Sequence, residues 1–383
     1  MTVAWWFLAA LTAASCAYLL LAMAAVAALR LTAGQGWPVP PAVTVLKPLC
    51  GDEDGLEAAL DSFLAQQAPF AVTWVFGVAD PADPALALAR AVAARHPQAV
   101  CHFVVDPRSH GPNPKVSNLV NMAQALPAGL GDVVVISDSD IVIAPGDLAR
   151  AVGRLAAPGT GAVTALYRAR PGRPGSHSRT LGAWFIDYWF LPMAVLHARL
   201  APLSVTYGPL TAIRREVLDA TGGLESLARH LSDDAELGRR VTAAGWTIAF
   251  SPDIAETLVN DATLPDLFDH ELRWARTVRG LDPAGYLASL VSHPGPLPLL
   301  LVLLSPTPAS LALALLPVLL HWLLAWQTAR KCGQNPLITV PNLLQVWWRD
   351  LFCFAVWARG LVVARVGWRG ARLAVSHRDI LVP

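Results

Sequence analysis

Charge is what this sequence is short of. Only 15% of its 383 residues are Asp, Glu, Lys or Arg, against 54% hydrophobic, and mean hydropathy is +0.45. The 29 basic and 28 acidic residues leave a formal net charge of +1. There is no basic block interleaved with aromatics, so the electrostatic footprint of a nucleic-acid partner is missing. Cysteine is sparse as well: Cys16, Cys50, Cys101, Cys332 and Cys353 stand apart, without Cys-x-x-Cys or Cys/His spacing. That pattern indicates neither a disulfide framework nor a zinc site, and it fits a reducing compartment. Two glycine signatures are also lacking, the Gly-x-Gly-x-x-Gly turn of dinucleotide binders and the phosphate-binding loop of nucleoside triphosphatases. A nucleotide held by this chain needs its phosphate charge met by a metal and basic side chains.

What is present is long apolar runs at both ends. Val3 to Leu29 contains no charge and exceeds the roughly 20 residues that cross a bilayer. It lacks the basic start and short apolar core of a cleaved signal peptide, so an uncleaved membrane anchor is expected. Pro296 to Trp326 is almost wholly apolar, broken by "SPTP", and Leu343 to Val366 is apolar with a few charges. These segments allow two or three crossings, or one crossing with re-entrant pieces. Arg365, Arg369, Arg372 and Arg378 favour a cytoplasmic C-terminus, and Arg30 a cytoplasmic middle region, while Arg330 and Lys331 complicate the count.

Between about Pro41 and Gly280 the texture changes. "VTVLKPL", "VTWVFGVAD", "VCHFVVD" and "DVVVISDSD" read as strands. They alternate with helical patterns in "GLEAALDSFLAQQ", "PALALARAVAAR", Lys115 to Ala125 and a segment from about Pro145. Such alternation predicts an α/β fold with a mostly parallel sheet. Ligands of open sheets gather beyond the carboxyl ends of the strands, where Asp80 and the pair Asp138/Asp140 fall. Strand alternation would project Asp138 and Asp140 to one side, and two adjacent carboxylates call for a cation or a solvated strand end. Oxygen ligands of this kind suit Mg²⁺ or Mn²⁺. Lys115, just after Pro114, opens a helix whose N-terminal N–H groups could join it on a phosphate. "WFIDYWFLPMAVLHARL" (Trp184 to Leu200) reads equally as an interfacial helix or a core helix.

Five stretches in order carry a resemblance: "LKPLCGDEDGL", "NPKVSNL", "DSD", "SDDAELGRR" and "HELRWART". With membrane segments on both sides, the chain resembles the lipid-modifying glycosyltransferases of the GT-A fold, and more narrowly the ceramide glucosyltransferase family. The resemblance covers roughly Val43 to Gly280 and the flanking apolar segments. It implies an N-terminal transmembrane anchor at residues 1–30, a GT-A domain at 41–280 and a C-terminal membrane region at 281–383. "VVDPRSHGPNPKVSNLVNM", "HELRWARTVR" and "DPAGY" look like the bacterial branch associated with hopanoid biosynthesis. That branch implies transfer of N-acetylglucosamine from its UDP-sugar to bacteriohopanetetrol; the neighbouring branch glucosylates ceramide. Either way the resemblance implies a UDP-sugar donor, a membrane lipid acceptor and Mg²⁺ or Mn²⁺. The setting it implies is a multi-pass protein of the bacterial inner membrane with its catalytic domain cytoplasmic.

The same resemblance implies roles. Asp138 and Asp140 would hold the cation that bridges the diphosphate, with Asp140 the more direct ligand and Asp138 leaning toward the ribose. Asp80 would face the uracil N–H, although aspartate before Pro81 also suits a turn. Glu53, where animal relatives carry aspartate, is a second nucleotide-binding candidate or merely an exposed loop acid. Lys115 would reach the diphosphate. Asp234 would be the catalytic base with Asp233 its acidic neighbour, although both also suit the start of a helix. Arg273 would steady the diphosphate and Trp274 would stack near the sugar or acceptor entrance. His270 stands where many relatives carry glutamine or arginine, which leaves its role open. The alternative for that segment is an amphipathic helix on the membrane surface with a snorkelling arginine and an interfacial tryptophan. A processive polysaccharide synthase predicts a longer C-terminal bundle and Gln at position 270. A scaffold that had lost catalysis would lack one of the acids or Arg273, and all are present.

Overall fold

The uncharged N-terminal run forms one helix, α1 (Val3–Ala28). Beyond it come β1 (Val43–Pro48), α2 (Leu56–Leu64), β2 (Val72–Val78), α3 (Pro84–Ala94), β3 (Val100–Val105) and α4 (Pro114–Gln124). Next are β4 (Val133–Ile136), β5 (Ile141–Val142), α5 (Asp147–Arg154), β6 (Thr160–Pro171), α6 (His177–Phe185) and α7 (Leu191–Leu200), the last two joined by a π-helix at Ile186–Phe190. β7 (Thr211–Arg214), α8 (Arg215–Ala220), α9 (Asp233–Ala243), β8 (Thr247–Val259) and α10 (Leu264–Leu281) follow. The chain then runs through α11 (Pro283–Ala288), α12 (Pro296–Leu304), α13 (Pro308–Lys331), α14 (Val340–Gly360) and the strands β9 (Arg365–Trp368) and β10 (Ala371–Val375). The structure, a computed structural model, describes residues 2–34, 36–171, 176–334, 340–363, 365–368, 371–375 and 380–382. Arg369 and Arg378 lie outside the described residues.

The chain divides into two units. One comprises Arg30–Gly175, Ala201–Asn260 and Ile380–Pro383; the other Met1–Leu29, Ser176–Leu200 and Asp261–Asp379. The first unit is built on an eight-stranded sheet in the order β3-β2-β1-β4-β7-β6-β8-β5. β1 pairs in parallel with β2 and β4, β2 with β3, and β6 with β8, while β7 and β5 run antiparallel to their neighbours. The expected α/β fold with a mostly parallel sheet is therefore present. β1 is buried along its whole length, with Val45 in the apolar layer under α2, α3 and α5 and Leu46 in the layer under α4, α8 and α9. Burial on both faces is what a central parallel strand requires, and each such aliphatic or aromatic side chain contributes about 1.5–3 kcal/mol. Local signals set the helix starts: Asp83 caps α3 and Asn113 caps α4, each with Pro in the first turn.

One expectation is corrected here. Asp138 and Asp140 are not successive outward residues of a strand, because β4 ends at Ile136. Ile136 pairs with Thr211, the first residue of β7, so the antiparallel ladder runs out at that point. The chain turns through Ser137 to Asp140 before β5 joins β8. Turn geometry, not strand alternation, sets where these carboxylates point.

In the second unit α1 and α13 are long and apolar enough to cross a membrane. Pro283–Ser292 and Pro296–Leu304 pass the same test only as a pair bent by 62°. α14 contains Arg349 and Asp350 and is not among those helices. Leu303, Leu304, Leu311, Leu315 and Leu319 are exposed, an apolar surface suited to lipid. The indole N–H of Trp5 donates to Ser310 Oγ at 2.9 Å, tying α1 to α13. Trp184 to Leu200, ambiguous in sequence, belongs to this unit.

Candidate active site

At the carboxyl end of β4, the turn Ser137–Asp140 meets two segments from far along the chain. Lys115 projects from the first turn of α4, and its Nζ lies 2.7 Å from Asp138 Oδ1 and 3.1 Å from Asp233 Oδ2. Burial opposes the ammonium charge, but Asp138, Asp233 and Asp234 outweigh it and hold Lys115 protonated, above its ordinary range. Asp233 is pushed up by burial and pulled back by Lys115. One lysine thus joins the Asp-Ser-Asp turn to the acidic start of α9.

Asp234, next in that turn of α9, is held by three donors. Its Oδ2 accepts from the Gly208 N–H at 2.8 Å; its Oδ1 accepts from Ser232 Oγ at 2.6 Å and from the Ala235 N–H at 2.8 Å. Thr206 Oγ1 donates to the Asp234 carbonyl at 2.7 Å. The remaining part of "SDDAELGRR" is structural: Glu236 accepts from Arg239 and Arg240 and is almost wholly buried.

Gly208 is where the two carboxylates converge. A β-carbon there would sit 2.6 Å from Asp138 Oδ2 and 3.4 Å from Asp234 Oδ2. Only the missing side chain lets the backbone approach this closely. Gly208→Ala is therefore expected to displace the Asp138 carboxylate without touching the core. The expected outcome is a fall of about 10- to 100-fold in kcat/KM for the reaction proposed below, with the melting temperature nearly unchanged. Steady-state kinetics and thermal unfolding on one preparation check it.

Asp140 accepts from Thr257 Oγ1 at 2.8 Å. Burial, and then the Asp138 and Glu53 charges, raise its carboxyl above the usual carboxylate range, against the Thr257 hydrogen bond and the Lys47 charge. Glu53 Oε2 accepts from Ser139 Oγ at 2.6 Å, so the "GDED" loop docks on the Asp-Ser-Asp turn. Lys47, fully buried on β1, donates to the Asp138 carbonyl at 2.5 Å and lies 4.0 Å from the centre of the Phe63 ring. Burial lowers its ammonium, and the Asp140, Asp138 and Glu53 charges oppose that. Lys47 was absent from the sequence-based site. Its signal was the one charge inside a largely apolar central strand, where an unpaired cation is too costly to leave without anions.

Asp80 lies beyond the end of β2, exposed, and its Oδ1 accepts from the Ala82 N–H at 2.8 Å, a turn closed by its own side chain. β1 separates β2 from β4, so Asp80 stands on the same rim of the sheet but two strands from the turn. The structure thus brings together Glu53, Lys115, Asp138, Asp140, Asp233 and Asp234, and sets Asp80 at the rim. His270, Arg273 and Trp274 belong to the other unit, on α10. There His270 Nδ1 lies 3.1 Å from Asp261 Oδ1, and its ring is 4.3 Å from that of Trp274.

The donor set fits a divalent cation of the Mg²⁺ or Mn²⁺ kind. Among the described residues no group of three or more His, Cys, Asp or Glu surrounds one point. Two adjacent carboxylates are what a cation needs when substrate phosphates and water complete its octahedron. A site closed by protein ligands alone would leave no place for them.

The model of glycosyl transferase family 21 matches residues 7–381. Ceramide glucosyltransferase 1 of Caenorhabditis elegans is 27% identical over 247 residues, which are 62% of this chain and 50% of the relative. The ceramide glucosyltransferase of Komagataella phaffii is 33% identical over 126 residues, 31% of this chain and 24% of the relative. The chain thus spans half or less of these curated relatives. Among solved structures, the mannosyltransferase PcManGT from Pyrobaculum calidifontis, in complex with GDP-Man and Mn²⁺, superposes with a TM-score of 0.55 at 19% identity, covering 94% of this chain and 99% of that one. That likeness is one of fold alone.

Proposed function

The chain belongs to glycosyl transferase family 21, and from that premise we propose that it is a membrane-bound, metal-dependent, inverting hexosyltransferase moving a sugar from a UDP-sugar to a lipid alcohol. The observation that carries the reading is the convergence at Gly208 of a carboxylate from the Asp-Ser-Asp turn and one from the start of α9, with Lys115 between their motifs. Asp138 and Asp140 would hold Mg²⁺ or Mn²⁺. When bound, that cation offsets the charge gathering on the departing diphosphate. The solved neighbour that carries GDP-Man with Mn²⁺ supports a divalent metal here.

Lys115, already among anions, adds its positive charge beside the diphosphate, while Asp80 and Glu53 bind the nucleotide end. Asp234 accepts the proton of the lipid hydroxyl as that oxygen bonds to the anomeric carbon and the bond to UDP breaks. Its three hydrogen bonds orient it, and a carboxylate base needs to take the proton only late, when the oxygen has become acidic. Asp233 anchors Lys115. On the family resemblance alone, Arg273 is assigned to the diphosphate and Trp274 to the sugar or acceptor entrance, while His270 is given no specific role. Residues 41–280 carry the transfer chemistry in this reading, and residues 1–30 and 281–383 tie it to the bilayer. That makes the protein multi-pass, in a bacterial inner membrane, with the chemistry on the cytoplasmic side.

The donor and acceptor we put first are UDP-N-acetylglucosamine and bacteriohopanetetrol, on the likeness of the "VVDPRSHGPNPKVSNLVNM" and "HELRWARTVR" stretches to the hopanoid branch. UDP-glucose and ceramide are second, supported by what the curated relatives are named for. Membranes containing the protein, incubated with each labelled UDP-sugar and each lipid, should yield one glycolipid whose formation stops when the metal is chelated. No product from either lipid would overturn both substrate assignments.

A further inference from the structure

Within the helical unit a buried charge cluster sits beside the "HELRWART" segment and has no part in the chemistry above. Arg349 of α14 has no exposed surface and hydrogen-bonds to Glu271 of α10, itself 2% exposed. The guanidinium carbon lies 4.9 Å from the Phe352 ring centre, 5.2 Å from Phe185 and 5.9 Å from Trp189. Phe185 in turn stacks on Trp274, with ring centres 5.6 Å apart and planes 19° from parallel. The neighbouring Asp350 accepts from the Trp189 indole N–H at 2.9 Å and faces His321 Nδ1 of α13 at 3.2 Å. α14 is thereby fixed to the π-helix and to a membrane-crossing helix, and it delivers a cation to the side of α10 from which Trp274 is packed.

A buried ion pair is a poor device for stability alone, because desolvating both charges offsets most of their attraction and apolar residues of similar size often serve as well. This pair is also incompletely matched: among the described residues, Arg349 Nε and Nη1 and Glu271 Oε2 are buried without a hydrogen-bond partner. Unsatisfied donors cost free energy, so the arrangement is not one tuned for stability. What the guanidinium does have is aromatic faces, to which a desolvated cation is strongly attracted.

We propose that Arg349 is a positioning residue for Trp274: anchored by Glu271 and held against Phe185, it fixes the ring on which the Trp274 indole stacks. The inference rests on Trp274 acting in the proposed transfer. It assigns to α14 the part of bracing that segment against the membrane-crossing helix α13.

The test uses the full chain in lipid nanodiscs, with Arg349→Met, Trp274→Ala, their combination, and Arg349→Met/Glu271→Gln. Arg349→Met is expected to lower kcat about 10- to 100-fold with KM for the UDP-sugar held within about twofold. The Arg349→Met/Trp274→Ala variant should be no slower than Trp274→Ala alone, since coupled residues are non-additive. Removing both charges in Arg349→Met/Glu271→Gln should restore thermal stability without restoring kcat. Full recovery of kcat in that variant would show a purely structural pair and overturn the proposal, as would multiplicative losses for Arg349 and Trp274. Should the wild-type protein transfer no sugar, the functional reading fails separately. The brace is then read from thermal unfolding, where non-additive shifts for Arg349→Met and Trp274→Ala support it and additive shifts overturn it.

Discussion

Asp234→Asn should leave a folded protein that binds its UDP-sugar and does not turn it over. The substitution keeps shape and polarity. The amide oxygen can still accept from Gly208 or Ser232, as the carboxylate does at 2.8 and 2.6 Å. It cannot accept a proton from an attacking hydroxyl. General-base catalysis contributes about 10²- to 10⁴-fold, and a loss of that size in kcat is expected, with UDP-sugar affinity changed by less than about threefold. A helix-start role alone predicts something different. Losing one acid from the first turn of α9 costs about 0.3–1 kcal/mol of stability and no catalysis. Isothermal titration with UDP-sugar, beside a product assay, separates the outcomes, and near-normal turnover refutes the base assignment.

Asp140→Ala acts on binding. The loss removes one of the two carboxylates proposed for the cation and leaves Thr257 Oγ1 without its acceptor. Even an outer-sphere partner of a metal is worth 10- to 100-fold in affinity, so Mn²⁺ affinity measured with UDP present should fall by about 100-fold or more. Binding of UDP without metal should hardly change. In the unaltered protein, burial and the Asp138 and Glu53 charges keep the Asp140 carboxyl above the usual range. Its ligating form is the deprotonated one, so Mn²⁺ binding should strengthen as pH rises through the slightly acidic range. In Asp140→Ala that rise should flatten. Equal Mn²⁺ affinity in the two proteins would remove Asp140 from the site.

Much of this was legible in residue order. Apolar periodicity located β1 to β4 and α2 to α4 to within a few residues, because an element's period is a local property. The acids of the site stood out as charges at the ends of apolar runs in a chain with little charge to spare. Lys47 is visible as one charge in a mostly apolar strand, but a lone lysine there gains meaning only from the anions that folding brings to it.

Length and hydropathy alone marked Val3 to Leu29, Pro296 to Trp326 and Leu343 to Val366 as apolar enough to enter a bilayer, and of these the helices Val3–Ala28 and Pro308–Lys331 are long and apolar enough to cross one. Neighbouring residues could not disclose partners drawn from distant segments. The order of the sheet places β7 beside β4, ends the ladder at Ile136, and so turns Asp138 and Asp140 off the strand. That same order lets Lys115 meet Asp138 and Asp233 together, and packing of helices gives Arg349 to Glu271. Such pairings follow from which surfaces meet when the chain closes on itself, and no period or spacing along the backbone encodes them.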